Sequence, residues 1–192
     1  MEDIVEKLKN RIIKDAILIK PNIINVSTFL NHQVDVKFMY ELADIFIKQF
    51  SNKKIDKVVT IEASGIIPAG LVALKLGVPL IYAKKKIPST LGSDVYQRVV
   101  YSMTRGENVM ITVSKRFLNN GDNVLIIDDF LAKGGTAKGL LAILKEADVN
   151  IAGYGVIIEK TFEKGRDAIE SKNIEFYSIV KIKSIENGIV FG

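Results

Sequence analysis

The chain has 192 residues, 48% hydrophobic and 26% charged, which suits one soluble globular domain whose core needs no covalent staples. It contains no cysteine, so disulfides and thiolate metal sites are excluded and a reducing cytosol is allowed. The net charge of +5 would attract nucleic acid, an anionic membrane or a polyphosphate, but the lysines are scattered apart from Lys84, Lys85 and Lys86. No arginine-rich arm and no interleaving of aromatic with basic residues marks a nucleic-acid surface. A small anionic substrate is the economical partner.

In chain order, Asp3 to Ile13 sets Ile4, Val5, Leu8, Ile12 and Ile13 on one face, which predicts an amphipathic helix. Its charges recur every few residues, so it reads as neither a signal peptide nor a membrane span, and no other stretch stays apolar for a membrane-crossing length. Residues 17–31 read as irregular to extended. From Phe38 to Phe50 the stripe Met39, Leu42, Ala43, Phe46, Ile47 and Phe50 predicts a second helix.

Alternation of strand and helix follows. Lys57 to Ile61 is a short β-branched strand, Glu62 to Gly65 a turn, and Ile66 to Leu76 a helix closed by Gly77, with Pro79 beyond. Leu80 to Ala83 is a second strand. Residues 84–97 are polar and carry no clear pattern. Val99–Ser102 and Val109–Val113 form a hairpin joined through Arg105, Gly106 and Glu107. Asn123 to Ile127 is a buried strand, Gly135 to Glu146 a helix, and Ile151–Glu159 and Ile174–Ile182 two further strands. Such a succession predicts an α/β fold, a mostly parallel sheet with helices on both faces. Ligands bind such sheets beyond the carboxyl ends of the strands, which directs attention to the loops after Ile61, Ile127 and Glu159.

The segment from Val124 to Gly139 carries the strongest chemical signal. Apolar residues end in Asp128 and Asp129; the loop Ala132, Lys133, Gly134, Gly135, Thr136 then enters a helix. Glycines let backbone N–H groups converge, Thr136 adds a hydroxyl, and the new helix presents its positive end, a ready phosphomonoester site. Two carboxylates would repel phosphate and suit vicinal sugar hydroxyls instead, with or without a divalent cation. Either half alone would be an ordinary turn or a solvated acid pair. Together they describe a ribose 5-phosphate site.

This stretch resembles the phosphoribosyl pyrophosphate (PRPP) signature of the type I phosphoribosyltransferases. One position departs, since the family often has Thr or Ser where this chain has Lys133. Phe29–Asp35, Val59–Ile66, Asp128–Ala132 and Ile151–Phe162 resemble the bacterial, xanthine-specific branch of that family, with matching spacing over nearly the whole chain. The resemblance implies the type I fold over residues 1–192 as one domain, with a small hood that includes about residues 1–36 and a flexible loop. It implies a cytoplasmic homodimer of purine salvage that transfers the phosphoribosyl group of PRPP to N9 of xanthine, with Mg²⁺ carried by PRPP and no metal site of the protein's own. Neither nucleic acid nor a membrane is an expected partner.

The same resemblance puts xanthine on Ile24, Asn31 and Lys160, and PRPP on Asp128, Asp129 and Ala132 to Thr136. Read from the residues alone, Asn31 in an irregular segment is more readily a turn residue, and Lys160 is equally a surface lysine. Xanthine's two carbonyls and ready ionisation do ask for such donors. His32, the single histidine, has no evident catalytic partner and is assigned no role; no catalytic residue is assigned. Ser64 and Gly65 match the family's pyrophosphate loop, which in relatives can hold a cis peptide, here expected at Ala63–Ser64; a plain strand-to-helix turn is the alternative. Lys84 to Lys86 would neutralise pyrophosphate, or form a solvated run. Residues 86–108 are expected to form a mobile lid, because a cationic sugar must be kept from water. Two rivals remain: a PRPP-sensing regulator that binds nucleic acid, against which the short stretch before residue 17 leaves no room for a winged helix, and an enzyme for guanine or adenine.

Overall fold

The computed structural model describes residues 2–19, 23–85, 94–102 and 106–192. Helix α1 (Glu2–Asp15) buries Leu8 and Ile12 completely, while Ile13 is 60% exposed and so lies off the packed face to which the periodicity assigns it. Strands β1 (Ile17–Ile19) and β2 (Ile23–Asn25) pair antiparallel, and a π-helical turn follows over Ser27–Asn31. Helix α2 (Val36–Gln49) starts at Asp35, whose carboxylate accepts from the Phe38 N–H at 3.1 Å.

Strand β3 (Lys57–Ile61), helix α3 (Ile66–Leu76) and strand β4 (Leu80–Ala83) match the boundaries predicted from sequence. Gly77 ends α3 in the left-handed region at φ 67°, the conformation its position demanded. Strands β5 (Val95–Ser102) and β6 (Glu107–Ser114) form a separate antiparallel hairpin. Then come β7 (Asn123–Leu131), α4 (Gly135–Glu146), β8 (Asn150–Lys160), the short α5 (Asp167–Glu170), β9 (Phe176–Ser184) and β10 (Val190–Phe191).

The main sheet has six strands in the order β10-β9-β8-β7-β3-β4, all neighbours parallel except β10 on β9. Side chains alternate across it as the two-residue strand period requires. Leu125 and Ile127 join the core that α1, α2 and α3 cover, whereas Val124 and Ile126 join the core under α4 and the β5–β6 hairpin. A strand covered on both faces reads as a continuous apolar run, which is why β7 is so legible.

Candidate active site

Strand order reverses between β3 and β7. From β3 the chain steps outward to β4, and from β7 it steps the other way to β8. At such a switch the two following loops diverge and leave a crevice at the carboxyl ends of the strands. Both loops here lead into helices, α3 after β3 and α4 after β7, so two positive helix ends flank the crevice.

Asp128 and Asp129 stand at that crevice, but not at an exposed strand end. Strand β7 continues to Leu131, Asp129 is 5% exposed and Asp128 is half-buried. The strand thus runs on past the two acids that mark its end in the sequence pattern. Burial first, and the Asp129 charge second, push the Asp128 carboxyl well above the usual range. Lys85 acts in the opposite sense. The Asp128 side chain accepts from the Asp129 N–H at 2.9 Å. Beside them, the buried Tyr154 hydroxyl is also pushed up, by burial and then by the two acids.

The loop Ala132–Thr136 turns at Gly134, φ 73°, and enters α4, whose first helical hydrogen bond runs from Lys138 N–H to Gly134 O at 2.9 Å. No side chain caps that start, so backbone N–H groups there are left for a ligand. Lys133 is exposed on the loop. Behind it lies Gly165: a Cβ built on Gly165 would sit 2.1 Å from the Ala132 carbonyl oxygen, and one on Gly134 would sit 2.9 Å from the Gly165 oxygen. The two glycines therefore let two backbone segments touch. Arg166, the next residue, donates from Nε to Glu159 Oε1 at 2.8 Å and from Nη2 to Oε2 at 2.5 Å, and Ser178 Oγ donates to the same oxygen at 2.6 Å. Burial raises the Glu159 carboxyl, but these bonds and the Arg166 charge outweigh it and hold it below its ordinary value. Sequence reading missed this strut; a Gly-Arg pair shortly after a strand ending in Glu is its only trace.

Lys160 ends β8, and its neighbour Glu159 pairs in register with Leu131, so the lysine's backbone lies one strand away from the acidic strand end. It is 9% exposed, not a surface lysine, and its ammonium donates to Glu163 on the 3₁₀ turn Thr161–Glu163. Ile24 is buried in the same core as Ile158, Ile182 and the partly buried Phe130 and Phe162. Asn31 is exposed at the end of the π-helical turn, which is anchored by fully buried Phe29 and Leu30. Arg11 ties that turn to the helices: it bonds Asp15 at 2.6 Å and Asp35 at 3.0 Å and lies 5.2 Å from the Phe29 ring centroid. His32 is exposed.

After β3, Gly65 is buried where a Cβ would meet Thr60 Oγ1 at 2.2 Å and Asp128 Oδ1 at 2.6 Å. This turn thus packs directly against Asp128. Ser64 beside it is half-buried. The cis peptide is Glu62–Ala63, one residue earlier than expected. Lys85 N–H donates to Glu62 at 2.6 Å, and the Lys84 backbone bridges to Thr112 of β6; Lys86 lies outside the described residues. Of residues 86–108, the described part is strand rather than free loop. Strand β5 packs on α4, with Val100 against Gly139, where a Cβ would be 2.1 Å from Val100 Cγ1. The rest of the expected lid, 86–93 and 103–105, lies outside the described residues. Among the described residues no helix is long and apolar enough to cross a membrane, and no three His, Cys, Asp or Glu side chains cluster as metal ligands.

A mostly parallel α/β sheet, with one buried and one half-buried acid and a glycine-rich helix start at its switch point, defines a protein of the type I phosphoribosyltransferase fold. Residues 27–191 match the phosphoribosyl transferase domain family, and the chain belongs to that family. It is 42% identical to xanthine phosphoribosyltransferase 1 of Clostridium botulinum over 97% of this chain and 98% of that protein. To the xanthine phosphoribosyltransferase of Streptococcus agalactiae it is 46% identical over 95% of each. Among solved structures it is similar to the adenine phosphoribosyltransferase of Rhodothermus marinus, with TM-score 0.77, 22% identity, and 95% and 100% of the two chains covered. At that identity the likeness speaks for the fold alone.

Proposed function

We propose that this chain transfers the 5-phosphoribosyl group of PRPP to N9 of xanthine, giving xanthosine 5′-monophosphate and pyrophosphate in purine salvage. The observation that carries the reading is the glycine-containing loop Ala132–Thr136 at the uncapped start of α4, just beyond Asp128 and Asp129 at the sheet's switch point, which suits a phosphate. The curated relatives at 42% and 46% identity, both named for xanthine, support the choice of base. The bond from N9 to ribose C1 forms as the bond from C1 to pyrophosphate breaks, with inversion. Little covalent work falls to the protein, so positioning and electrostatics dominate.

In this reading the N–H groups of the loop Ala132, Lys133, Gly134, Gly135 and Thr136 hold the 5-phosphate, and the Lys133 charge adds attraction. Asp128 and Asp129 accept from the ribose hydroxyls. Ser64 and Gly65 present backbone N–H groups to pyrophosphate, with Lys84 and Lys85 near. Two carboxylates plus substrate oxygens are the surroundings Mg²⁺ usually takes, and a cation would offset the burial and the Asp129 charge that together raise Asp128. Carried in by PRPP, Mg²⁺ would supply positive charge to the departing pyrophosphate. Ile24 forms an apolar wall for the base, while Asn31 and Lys160 donate to its carbonyls. The N-terminal segment, about residues 1–36, contributes the hood within a single domain of residues 1–192. The proposal extends to a cytoplasmic homodimer without nucleic-acid or membrane partners. The lack of cysteine and the exposed Ile17, Ile19 and Ile23 of the hood hairpin are in keeping with it.

The test is product identification. Purified protein with Mg²⁺, PRPP and xanthine should release xanthosine monophosphate and pyrophosphate in equal amounts. Hydrolysis of PRPP without nucleotide formation would reject the transfer.

A further inference from the structure

We propose that Glu62 is a positioning residue: its carboxylate holds the main chain at Lys85, so that the Lys85 ammonium meets the pyrophosphate of PRPP. The proposal rests on the pyrophosphate reading of Ser64, Gly65 and Lys85 given above. Strands β3 and β4 pair in parallel as far as Ile61 and Ala83. Beyond them the two exits part. The β3 exit enters the turn before α3, while the β4 exit crosses to β6, where Lys84 bonds Thr112 main chain to main chain at 2.9 and 2.8 Å. Glu62 spans the gap between the exits twice. Its N–H donates to Ala83 O at 3.0 Å, and its Oε1 accepts from Lys85 N–H at 2.6 Å. The second bond has an ionised acceptor, which makes it short and strong for its kind.

The two lysines after β4 are disposed differently. Lys84 Nζ lies 5.6 Å from the centroid of the Tyr82 ring, so its charge is folded back along β4. Lys85 forms no ion pair among the described residues. Burial and the Asp129 charge raise the Asp128 carboxyl, and the Lys85 charge opposes them, so it is felt in the crevice where Asp128 stands. The turn through Gly65 packs against that same Asp128. In this turn the N–H groups of Ser64 and Gly65 make no hydrogen bond among the described residues. Unbonded N–H groups and an unpaired ammonium at one crevice suit an anion. A lysine on a loose main chain would spread its ammonium over many rotamers, and holding the Lys85 backbone removes part of that spread. Glu62 thus has two effects of opposite sign. Its charge repels pyrophosphate, while its bond to Lys85 fixes the cation that attracts it.

Two substitutions separate charge from reach. Glu62→Asp keeps the carboxylate but, one methylene shorter, withdraws it from Lys85 N–H. Glu62→Gln gives up the charge and keeps an oxygen in place. The readout is calorimetric binding to the full chain of pyrophosphate with Mg²⁺ and, separately, of ribose 5-phosphate, which lacks the pyrophosphate. Glu62→Asp should weaken pyrophosphate by about tenfold with ribose 5-phosphate within about twofold, and Glu62→Gln should keep pyrophosphate within about threefold. Lys85→Ala should also weaken pyrophosphate by about tenfold, and adding Glu62→Asp to it should cost less than about twofold more. Pyrophosphate bound by Glu62→Asp as tightly as by wild type, or more tightly, would overturn the proposal. Equal losses for both ligands would overturn it too, since they would mark a general structural role. Should Glu62→Asp not fold, Glu62→Met, similar in length but without an oxygen for Lys85 N–H, takes its place with the same expectations. A wild type that binds neither ligand would reject the proposed function along with this proposal; one that binds ribose 5-phosphate but not pyrophosphate would overturn this proposal alone.

Discussion

Replacing Gly165 by alanine tests whether the phosphate loop is positioned from behind. The new Cβ would lie 2.1 Å from the Ala132 carbonyl oxygen and 3.0 Å from Gly134 N. Non-bonded heavy atoms settle near 3.5 Å, so Ala132 must retreat by more than about 1 Å. Gly165 itself has little room to yield, because Arg166 is fastened to buried Glu159 through two hydrogen bonds. A displacement of about 1 Å at a positioning element costs on the order of 10²-fold in rate. The overpacking should also lower stability by about 1–3 kcal/mol. Initial rates with PRPP varied at saturating base, beside a thermal melt and a circular dichroism spectrum, separate the two effects. A folded Gly165→Ala should lose about 10²-fold in kcat/KM for PRPP while KM for the base moves by less than about threefold. Wild-type kcat/KM for PRPP would refute the reasoning, for it would mean that the loop does not need Gly165 behind it.

Asp128→Asn and Asp129→Asn should each lower kcat/KM by about tenfold or more, as loss of a charged hydrogen bond implies. Asp128→Asn should nevertheless be the more stable protein at neutral pH. The raised Asp128 carboxyl favours folding below the unfolded value near about 3.9, and that contribution is lost as pH rises through the folded value, so melts at pH 7 should favour the variant and melts near pH 4 should converge. Lys160→Ala should raise KM for xanthine about five- to a hundredfold with KM for PRPP nearly unchanged, and Asn31→Ala should act in the same direction more mildly; equal losses for both substrates would contradict base-binding roles. Glu159→Gln should destabilise by about 1–3 kcal/mol in denaturant unfolding, less than for a fully buried pair because Arg166 is 26% exposed, and a loss under about 0.5 kcal/mol would remove the strut.

Local rules carried the regular elements. The boundaries of α3 follow from Gly65 and Gly77, and α4 starts where the glycine pair predicts. Strand β7 ran longer than expected because pattern reading stops at charge: Asp128 and Asp129 look like a strand's end, yet the neighbouring β8 pairs with residues out to Leu131. The β1–β2 hairpin was hidden because Ile17, Leu18, Ile19 and Ile23 show no alternation of polar and apolar residues, and all four are exposed. Of the candidate site, Asp128, Asp129 and the loop Ala132–Thr136 were legible because they are nearly contiguous. The Glu159–Arg166–Ser178 cluster and the packing of Gly165 on Ala132 join residues between 7 and 33 positions apart, which no local rule connects. Glu163 lies three residues from Lys160, but an exposed ion pair on a turn would show the same spacing. Only burial distinguishes the two.

Base competition under one set of conditions tests the central claim most directly. Xanthine, guanine, hypoxanthine and adenine at equal concentration, with limiting protein and saturating PRPP and Mg²⁺, report the ratios of kcat/KM through the nucleotides formed. Xanthosine monophosphate should dominate the early product, and adenosine monophosphate should be the least. Faster formation of adenosine monophosphate than of xanthosine monophosphate would contradict the substrate assignment while leaving phosphoribosyl transfer itself intact.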